Sequence, residues 1–460
     1  MTGERLNGLS LPACAMHQIA EVMVTGLSHD GRGVGRHDDK AVFVPDLLPG
    51  ERARVRIDRA VGGVLQAVCL ERLNDSPQRR RPPCILAEHC GGCSLQHLNH
   101  AAQLQSKTGL LEQTLTRIGG VGMLPEAIHS NGAELGYRNR AVIPLERTPE
   151  GVLRAGYYRK GSHRIVNMNQ CLVLDPRIDA LIEPLKEALE TSGWSVDRHL
   201  EGAGGLRHLA LRVSHHSGEI LITLISSRSD LPGSQAMAEH WLERWPSVVG
   251  VVLNQQDKPN NTLFGPTSAV LAGRDWLRDQ FCGLDFAVGC DTFFQVNTPQ
   301  AEAVALQILE DLPSAGGLVI DAYCGIGAFS LPIAAAGHRV LGLEVQQASI
   351  ALARRNAALN HLEERCTFVA GAVADHLSTH LAMATAVLVD PPRKGLDRNV
   401  RNSLIEQPVP RLLYLSCDPA TLARDLKDLT AQGPYRLERL KPFDFFPNTS
   451  HVETLAVLSS

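Results

Sequence analysis

No apolar run in this chain approaches the roughly 20 residues needed to cross a bilayer, so a membrane span is not expected. The N-terminus carries Glu4 and Arg5 and has no apolar segment of the kind a secretion signal holds. A cytoplasmic protein is therefore expected, with no membrane partner and no obligate protein partner. There is no long internal repeat and no low-complexity tract. Charge of one sign is also missing: 45 Lys and Arg against 49 Asp and Glu leave a net charge of −4, so any case for nucleic acid must come from local patches.

What is present is ordinary in bulk. A hydrophobic share of 44% and a charged share of 20% suit a globular protein, and 460 residues suffice for two to four domains. Eleven cysteines, an odd number, read in a cytosolic chain as metal ligands, catalytic thiols and core fillers rather than disulfides.

Residues 16–74 read as all-β. Short apolar alternations at 19–24, 41–44, 54–57 and 64–70 are separated by turn clusters such as Asp30-Gly31-Arg32-Gly33 and Leu48-Pro49-Gly50-Glu51. Strands this short and tightly spaced suit a small closed barrel of the oligonucleotide-binding kind. Residues 75–83 read as a linker carrying Arg79, Arg80 and Arg81. A helix is expected over 99–118, with Leu104, Leu111, Leu115 and Ile118 on one face. The stretch from 125 to 270 mixes strands and helices. From 285 onward strand and helix patterns alternate as in a doubly wound sheet. The expected organisation is a barrel at 16–74, a central α+β domain at 75–270 and an α/β catalytic domain at 275–460.

Two basic segments are candidates for RNA. Arg154, Arg159, Lys160 and Arg164 lie beside Tyr157 and Tyr158 with no acid between them, and the arginines at 79–81 form the second cluster. Basic groups neutralise phosphates and aromatic rings stack on unpaired bases; a solvated basic loop has the same composition.

Cys84, Cys90 and Cys93 form C-x5-C-x2-C, with Gly91 and Gly92 allowing a tight wrap, and Cys171 in a polar approach is the candidate fourth thiolate. Four thiolates suit an iron–sulfur cluster or a structural zinc, although the wide first gap is less usual for zinc. Cys14, Cys69, Cys282, Cys290 and Cys366 are expected to be packing residues.

Three apolar runs in the C-terminal part end in chemistry. The first ends in Asp321-Ala322-Tyr323-Cys324-Gly325-Ile326-Gly327, a glycine turn that lets a ligand approach the backbone. Ser330 stands where a dinucleotide fingerprint wants a third glycine, which disfavours a nicotinamide oxidoreductase. Glu344 ends the next strand, where an acid can accept bonds from a ribose diol. The second run ends in Asp390-Pro391-Pro392-Arg393, a corner whose backbone the prolines fix. The third ends in Ser416-Cys417-Asp418-Pro419. Cys417 is the candidate nucleophile; a free thiol is mostly un-ionised at neutral pH, so a site must lower its pKa or trap the small thiolate fraction. Glu453, at the head of an apolar strand, is the candidate general base.

Together these motifs resemble the RNA uracil-C5 methyltransferases that use S-adenosylmethionine. The resemblance covers most of the chain and is nearer to the branch acting on 23S rRNA than to the tRNA branch. Gly31-x-Gly33, Val42-Phe43-Val44-Pro45 and Pro49-Gly50-Glu51 resemble the family's TRAM barrel. The resemblance implies a [4Fe-4S] centre on Cys84, Cys90, Cys93 and Cys171. It implies cofactor contacts at Gln295 (in Phe293-Phe294-Gln295-Val296-Asn297), Tyr323, Gly325, Glu344 and Asp390. It implies Cys417 as nucleophile toward uracil C6 and Glu453 as the base for the C5 proton. It also implies that the helix near 99–118 docks on the catalytic domain. Ala328 departs from the asparagine of some members, residues 370–374 offer no polar side chain at another contact that Asp375 could replace, and Asp418 replaces a frequent asparagine. The competing reading is an RNA-binding protein with a redox-sensing cluster and no methyl transfer.

Overall fold

The computed structural model describes residues 18–202, 204–260 and 262–460; Cys14 and the first two residues of the expected barrel lie outside them. The chain divides into two compact units. One comprises residues up to Glu88, with Cys93–Ser106 and Asn448–Ser450; the other holds the rest.

In the first unit five strands close a barrel: β1 (Gln18–Leu27), β2 (Gly33–His37), β3 (Lys40–Val44), β4 (Arg52–Val61) and β5 (Val64–Arg72), in the order β1-β2-β3-β5-β4. Alternate residues point inward, as the period of a strand dictates. Val22, Val24, Val42, Val44, Val55 and Ile57 fill the interior. Glu51 of the Pro-Gly-Glu turn is fully buried, accepting from the Leu48 and Ser76 amides and from both Nε and Nη2 of Arg79, at 2.5 and 2.7 Å. Arg80 donates to the Gln96 carbonyl at 3.0 Å and to Asn448 Oδ1 at 2.9 Å. Two of the three arginines expected to meet RNA are thus engaged in holding their own unit together.

The second unit contains two larger sheets. A six-stranded sheet is built from β6 (Arg140–Arg147), β7 (Leu153–Ala155), β8 (Leu206–Val213), β9 (Ile220–Ser226), β10 (Val248–Gln255) and β11 (Thr267–Gly273), in the order β11-β10-β9-β8-β6-β7. A hairpin of β12 (Trp276–Phe281) and β13 (Leu284–Gly289) follows. The second sheet has seven strands: β14 (Leu318–Ala322), β15 (Arg339–Glu344), β16 (Cys366–Ala370), β17 (Ala384–Val389), β18 (Arg411–Ser416), β19 (Arg436–Phe443) and β20 (Glu453–Ser459). Their order is β16-β15-β14-β17-β18-β20-β19, with the first five parallel and β20 antiparallel to both neighbours. Parallel strands buried on both faces read as continuous apolar runs, which is why Ala386, Val387, Leu388 and Val389 are all fully covered. The sheet reverses its winding between β14 and β17, and ligands bind at such a switch point, outside the carboxyl ends of the strands.

The helix expected over 99–118 runs from His100 to Thr114 and continues as a π-helical turn, Leu115–Gly119. Leu111 and Leu115 lie in the apolar core on one face of the seven-stranded sheet, whereas Ile118 is 44% exposed. The wider π turn changes the phase of the helix and rotates Ile118 off the buried face. At Gly119 a Cβ would sit 2.8 Å from the Ala423 carbonyl, so only glycine permits this approach to the helix Pro419–Lys427.

Candidate active site

The turn after β14 is bent by three residues in the left-handed region: Tyr323 (φ 72°), Gly325 (φ 54°) and Gly327 (φ 89°). The conformation is easy for glycine and strained for tyrosine. The amides of Tyr323 and Cys324 both donate to the Leu343 carbonyl of β15, at 2.8 and 3.0 Å, and hold it in place. Glu344 closes the arrangement: its carboxylate accepts from the Gly325 amide at 3.3 Å and the Gln346 amide at 2.8 Å. A Cβ built on Gly325 would meet nothing within 4 Å, so space is open over the turn.

Ser330 is buried and donates its hydroxyl to Asp321 at 2.5 Å. Asp321 is 1% exposed, and its second oxygen has no hydrogen-bond partner. Burial, and next the Glu344 charge against the relief from Ser330, pushes it up to about 7. Ser330 is therefore more than a missing glycine: its hydroxyl satisfies one oxygen of a buried acid nine residues back, at the end of β14.

Asp390 follows β17, and its amide donates to the Ala322 carbonyl at 3.3 Å, beside the glycine turn. Burial and then the charge of Asp321 push its carboxyl up to about 7. The loop after Asp390 is fastened by a single buried acid, Asp425, which accepts from the Leu396 amide and the Tyr414 hydroxyl, both at 2.8 Å, and from Arg401 at 3.1 Å. This ties the Pro-Pro corner, β18 and the helix Pro419–Lys427 into one body.

Cys417 sits between the end of β18 and that helix. Asp418 caps the helix, accepting from the Ala420 and Thr421 amides at 3.0 and 2.9 Å, and Pro419 opens its first turn. The departure from asparagine thus keeps the capping geometry. In the β18–β20 ladder Leu415 pairs with Leu455 and Ser416 with Thr454, so Cys417 and Glu453 each lie one residue beyond the last pair. Burial, then the charges of Glu453 and Asp390, push the Cys417 thiol up to about 12, while Arg393 pulls it down. Glu453 is itself raised to about 8 by burial and then Asp390, again opposed by Arg393. The resting site therefore holds a thiol and does not lower its pKa. Arg393 Nη2 lies 3.5 Å from His451 Nε2, and the Arg393 carbonyl accepts from Thr421 Oγ1 at 3.2 Å.

The segment containing Gln295 is stitched into the same unit. Asn139 Nδ2 donates to the Gln295 carbonyl at 3.0 Å and its amide to the Val296 carbonyl at 2.9 Å, while Asn297 donates to the Phe445 carbonyl at 3.0 Å. Phe293 beside it is 56% exposed and Phe294 is buried. Ala328 packs against the apolar core, and Asp375 is exposed in the short helix Val373–His376. The cysteines of the C-x5-C-x2-C segment fall in both units, Cys84 and Cys93 in one, Cys90 and Cys171 in the other. All four are partly buried. Among the described residues no group of three or more His, Cys, Asp or Glu side chains is placed to hold a metal ion. Of the expected packing thiols, Cys290 and Cys366 are buried and Cys69 and Cys282 partly so.

The structure thus lines up Tyr323, Gly325, Glu344, Asp390, Cys417 and Glu453 along the carboxyl edge of the parallel strands. Asp321 and Arg393, quoted in the motifs but given no role there, act electrostatically on the same groups. This is a Rossmann-like methyltransferase sheet. The sequence model of the family described as tRNA (Uracil-5-)-methyltransferase matches residues 283–460, and that of the TRAM domain matches residues 17–70. An uncharacterized RNA methyltransferase of Parasynechococcus marenigrum is 51% identical over 441 residues, covering 95% of each chain. One of Synechocystis is 42% identical over 456 residues, 99% of this chain and 98% of that one. Among solved structures, the Pyrococcus abyssi tRNA (uracil-54, C5)-methyltransferase in complex with S-adenosyl-L-homocysteine superposes with a TM-score of 0.76 at 25% identity, covering 95% of this chain and all of that one. The chain belongs to the RNA (uracil-5-)-methyltransferase family.

Proposed function

We propose that the protein methylates C5 of a specific uridine in 23S rRNA through a covalent adduct on Cys417. The observation that carries this is the proximity of Glu453 to Cys417, close enough for its charge to raise the thiol, just beyond the last β18–β20 pair, Ser416 with Thr454. The open space over Gly325, the Glu344 carboxylate at the end of β15 and the unpartnered oxygen of Asp321 suit a nucleoside-bearing cofactor, with Gln295, Tyr323, Glu344 and Asp390 as its contacts. S-adenosylmethionine, when bound, supplies a methyl carbon on a cationic sulfur for C5 to take.

The protein's own residues do the rest. Cys417 loses its thiol proton to solvent, its thiolate sulfur adds to C6, and the C5–C6 π electrons move through C5 toward O4 to give an enolate. Once C5 carries the methyl group, the Glu453 carboxylate removes the C5 proton. The electrons return to the C5–C6 bond and expel Cys417. Because Cys417 is a thiol at rest, substrate binding has to trap its small thiolate fraction, and Arg393 is the cation that favours this. The target base leaves its stack to reach this edge, at a cost of a few kcal/mol that is smaller in a loop.

In this reading 16–74 is the RNA-binding barrel, 75–270 a further RNA-binding and cluster-bearing segment, and 275–460 the catalytic domain, working in the cytoplasm. The [4Fe-4S] centre rests on the spacing of Cys84, Cys90 and Cys93, on Cys171 as the fourth thiolate, and on the preference of such clusters for four thiolate ligands; no step of the reaction passes through it. Visible absorbance in anaerobically purified protein, absent in Cys90→Ala, supports it, and a zinc-only preparation refutes it.

A second reading, a tRNA uridine as substrate, is favoured by the solved relative. That tRNA enzyme covers 95% of this chain, so overall length and the presence of a barrel do not separate the two substrates. Incubation with labelled S-adenosylmethionine and either 23S rRNA or tRNA decides: 5-methyluridine in rRNA alone supports the first reading, and in tRNA alone the second. Label on cytidine or on an exocyclic amine overturns both.

A further inference from the structure

The inference here rests on S-adenosylmethionine as the methyl donor. Neighbouring strand ends of the seven-stranded sheet each present a carboxylate: Glu344 on β15, Asp321 on β14, Asp390 after β17, and Glu453 opening β20 beyond β18. The row is continuous. Glu344 is held by the Gly325 amide at 3.3 Å, Asp321 lies one residue before Ala322, and the Ala322 carbonyl receives the Asp390 amide at 3.3 Å. One oxygen of Asp321 takes the Ser330 hydroxyl, and the other is buried with no partner.

Few charges offset this row. The groups that shift Asp390 are its burial and Asp321, and those that shift Asp321 are burial, Ser330 and Glu344. Glu453 and Cys417 face one cation, Arg393, which His451 flanks at 3.5 Å, and Asp418 adds a further negative charge near Cys417. A row of acids whose charged forms are penalised by burial and by one another gains most from a positive charge placed among them.

The donor has such a charge and its spent form does not. When the methyl group moves to C5, the carbon–sulfur electron pair stays on sulfur, which becomes a neutral thioether, and the C5 proton leaves to Glu453. We propose that the acidic row formed by Glu344, Asp321, Asp390 and Glu453 selects the cationic sulfonium over the neutral thioether, so that methyl transfer itself loosens the spent cofactor. Selection then depends on pH, because Asp390 and Glu453 titrate near neutrality. A bound cation favours their ionised forms, so donor binding releases protons and tightens as pH rises; thioether binding does neither.

The test is calorimetric titration of the full-length protein, without RNA, with S-adenosylmethionine and with S-adenosylhomocysteine, at about pH 6 and about pH 8.5. Preference for the donor is expected to grow by about tenfold between the two, with proton release seen only for the donor in buffers of different ionisation enthalpy. Asp390→Asn should weaken the donor by about tenfold and leave the thioether nearly unchanged. If that variant does not fold, Glu453→Gln and the wild-type pH series carry the same comparison. A donor-to-thioether ratio that stays constant with pH, or variants that shift both ligands together, overturns the proposal while leaving the donor assignment intact. Binding of neither ligand by the folded protein overturns that assignment and this proposal with it.

Discussion

Glu453 lies near enough to Cys417 for its charge to raise the thiol, each residue standing one position beyond the last β18–β20 pair, Ser416 with Thr454. One side chain can therefore hold a pyrimidine while the other works on the same ring. Removing the base should strand the reaction after sulfur addition. Glu453→Gln is expected to slow methyl transfer by about 10²–10⁴-fold while a denaturation-resistant protein–RNA adduct accumulates. Cys417→Ala should give neither product nor adduct, and an RNA with 5-fluorouridine at the target should trap the wild type covalently. Adduct formation by Cys417→Ala would assign the nucleophile elsewhere.

The same pair makes the protein sensitive to pH. Glu453 has an ordinary value of 4.5 and is raised to about 8 by burial and then by Asp390. Between those values the folded protein keeps a proton that the unfolded chain has released, so this contribution to stability is complete below 4.5 and disappears as pH climbs through about 8. Glu453→Gln, which cannot ionise, should melt higher than wild type on the alkaline side of that window and equal to it on the acid side. For catalysis the sign reverses: kcat/KM should rise with pH toward about 8 as the carboxylate becomes available. A flat rate profile would show that another group removes the proton.

Asp418 gives a cleaner separation of fold from chemistry. Its carboxylate caps the helix Pro419–Lys427, and its charge raises the neighbouring thiol. Asparagine caps as well as aspartate does. Asp418→Asn should therefore leave thermal stability unchanged while lowering the pH at which Cys417 is alkylated, followed at the level of its peptide. Asp418→Ala loses the cap and should lower stability by about 1 kcal/mol.

The barrel and the parallel strand ends were legible in the sequence because each has a local signal: strict alternation in 54–57, short apolar strands between turn clusters, and apolar runs ending in Gly, Pro or Cys. The six-stranded sheet was not. All eight residues of β8 are buried, yet they include Arg207, His208 and Arg212, so neither alternation nor a continuous apolar run marks the strand. Asp321 was hidden for a different reason. Its partner Ser330 lies nine residues away across a turn, and only the folded chain shows that the serine hydroxyl donates to this carboxylate. The arginines at 79 and 80 read as a nucleic-acid patch because sequence gives their charge but not Glu51 or Asn448. Ile118 left its expected face because helical periodicity does not reveal a π turn.

Lys107 and Asp444 form an ion pair at 2.5 Å, with the lysine 1% and the aspartate 0% exposed, and the same ammonium donates to the Phe446 carbonyl at 3.0 Å. The lysine pKa is lowered by burial, against the pull of Asp444. This pair fastens Lys107 of the helix His100–Thr114 to the chain between β19 and Glu453, so it bears on the placement of the proposed base. Removing either member deprives its buried partner of an opposite charge 2.5 Å away. Either Lys107→Met or Asp444→Leu alone should lower stability by about 3–5 kcal/mol, and the double replacement should recover most of it. Thermal unfolding of the three variants checks the energetics. The methyl-transfer rate of the double variant checks the placement: a rate near wild type means that packing alone positions Glu453, whereas a stable protein with slow turnover means that the ion pair sets the position of the base.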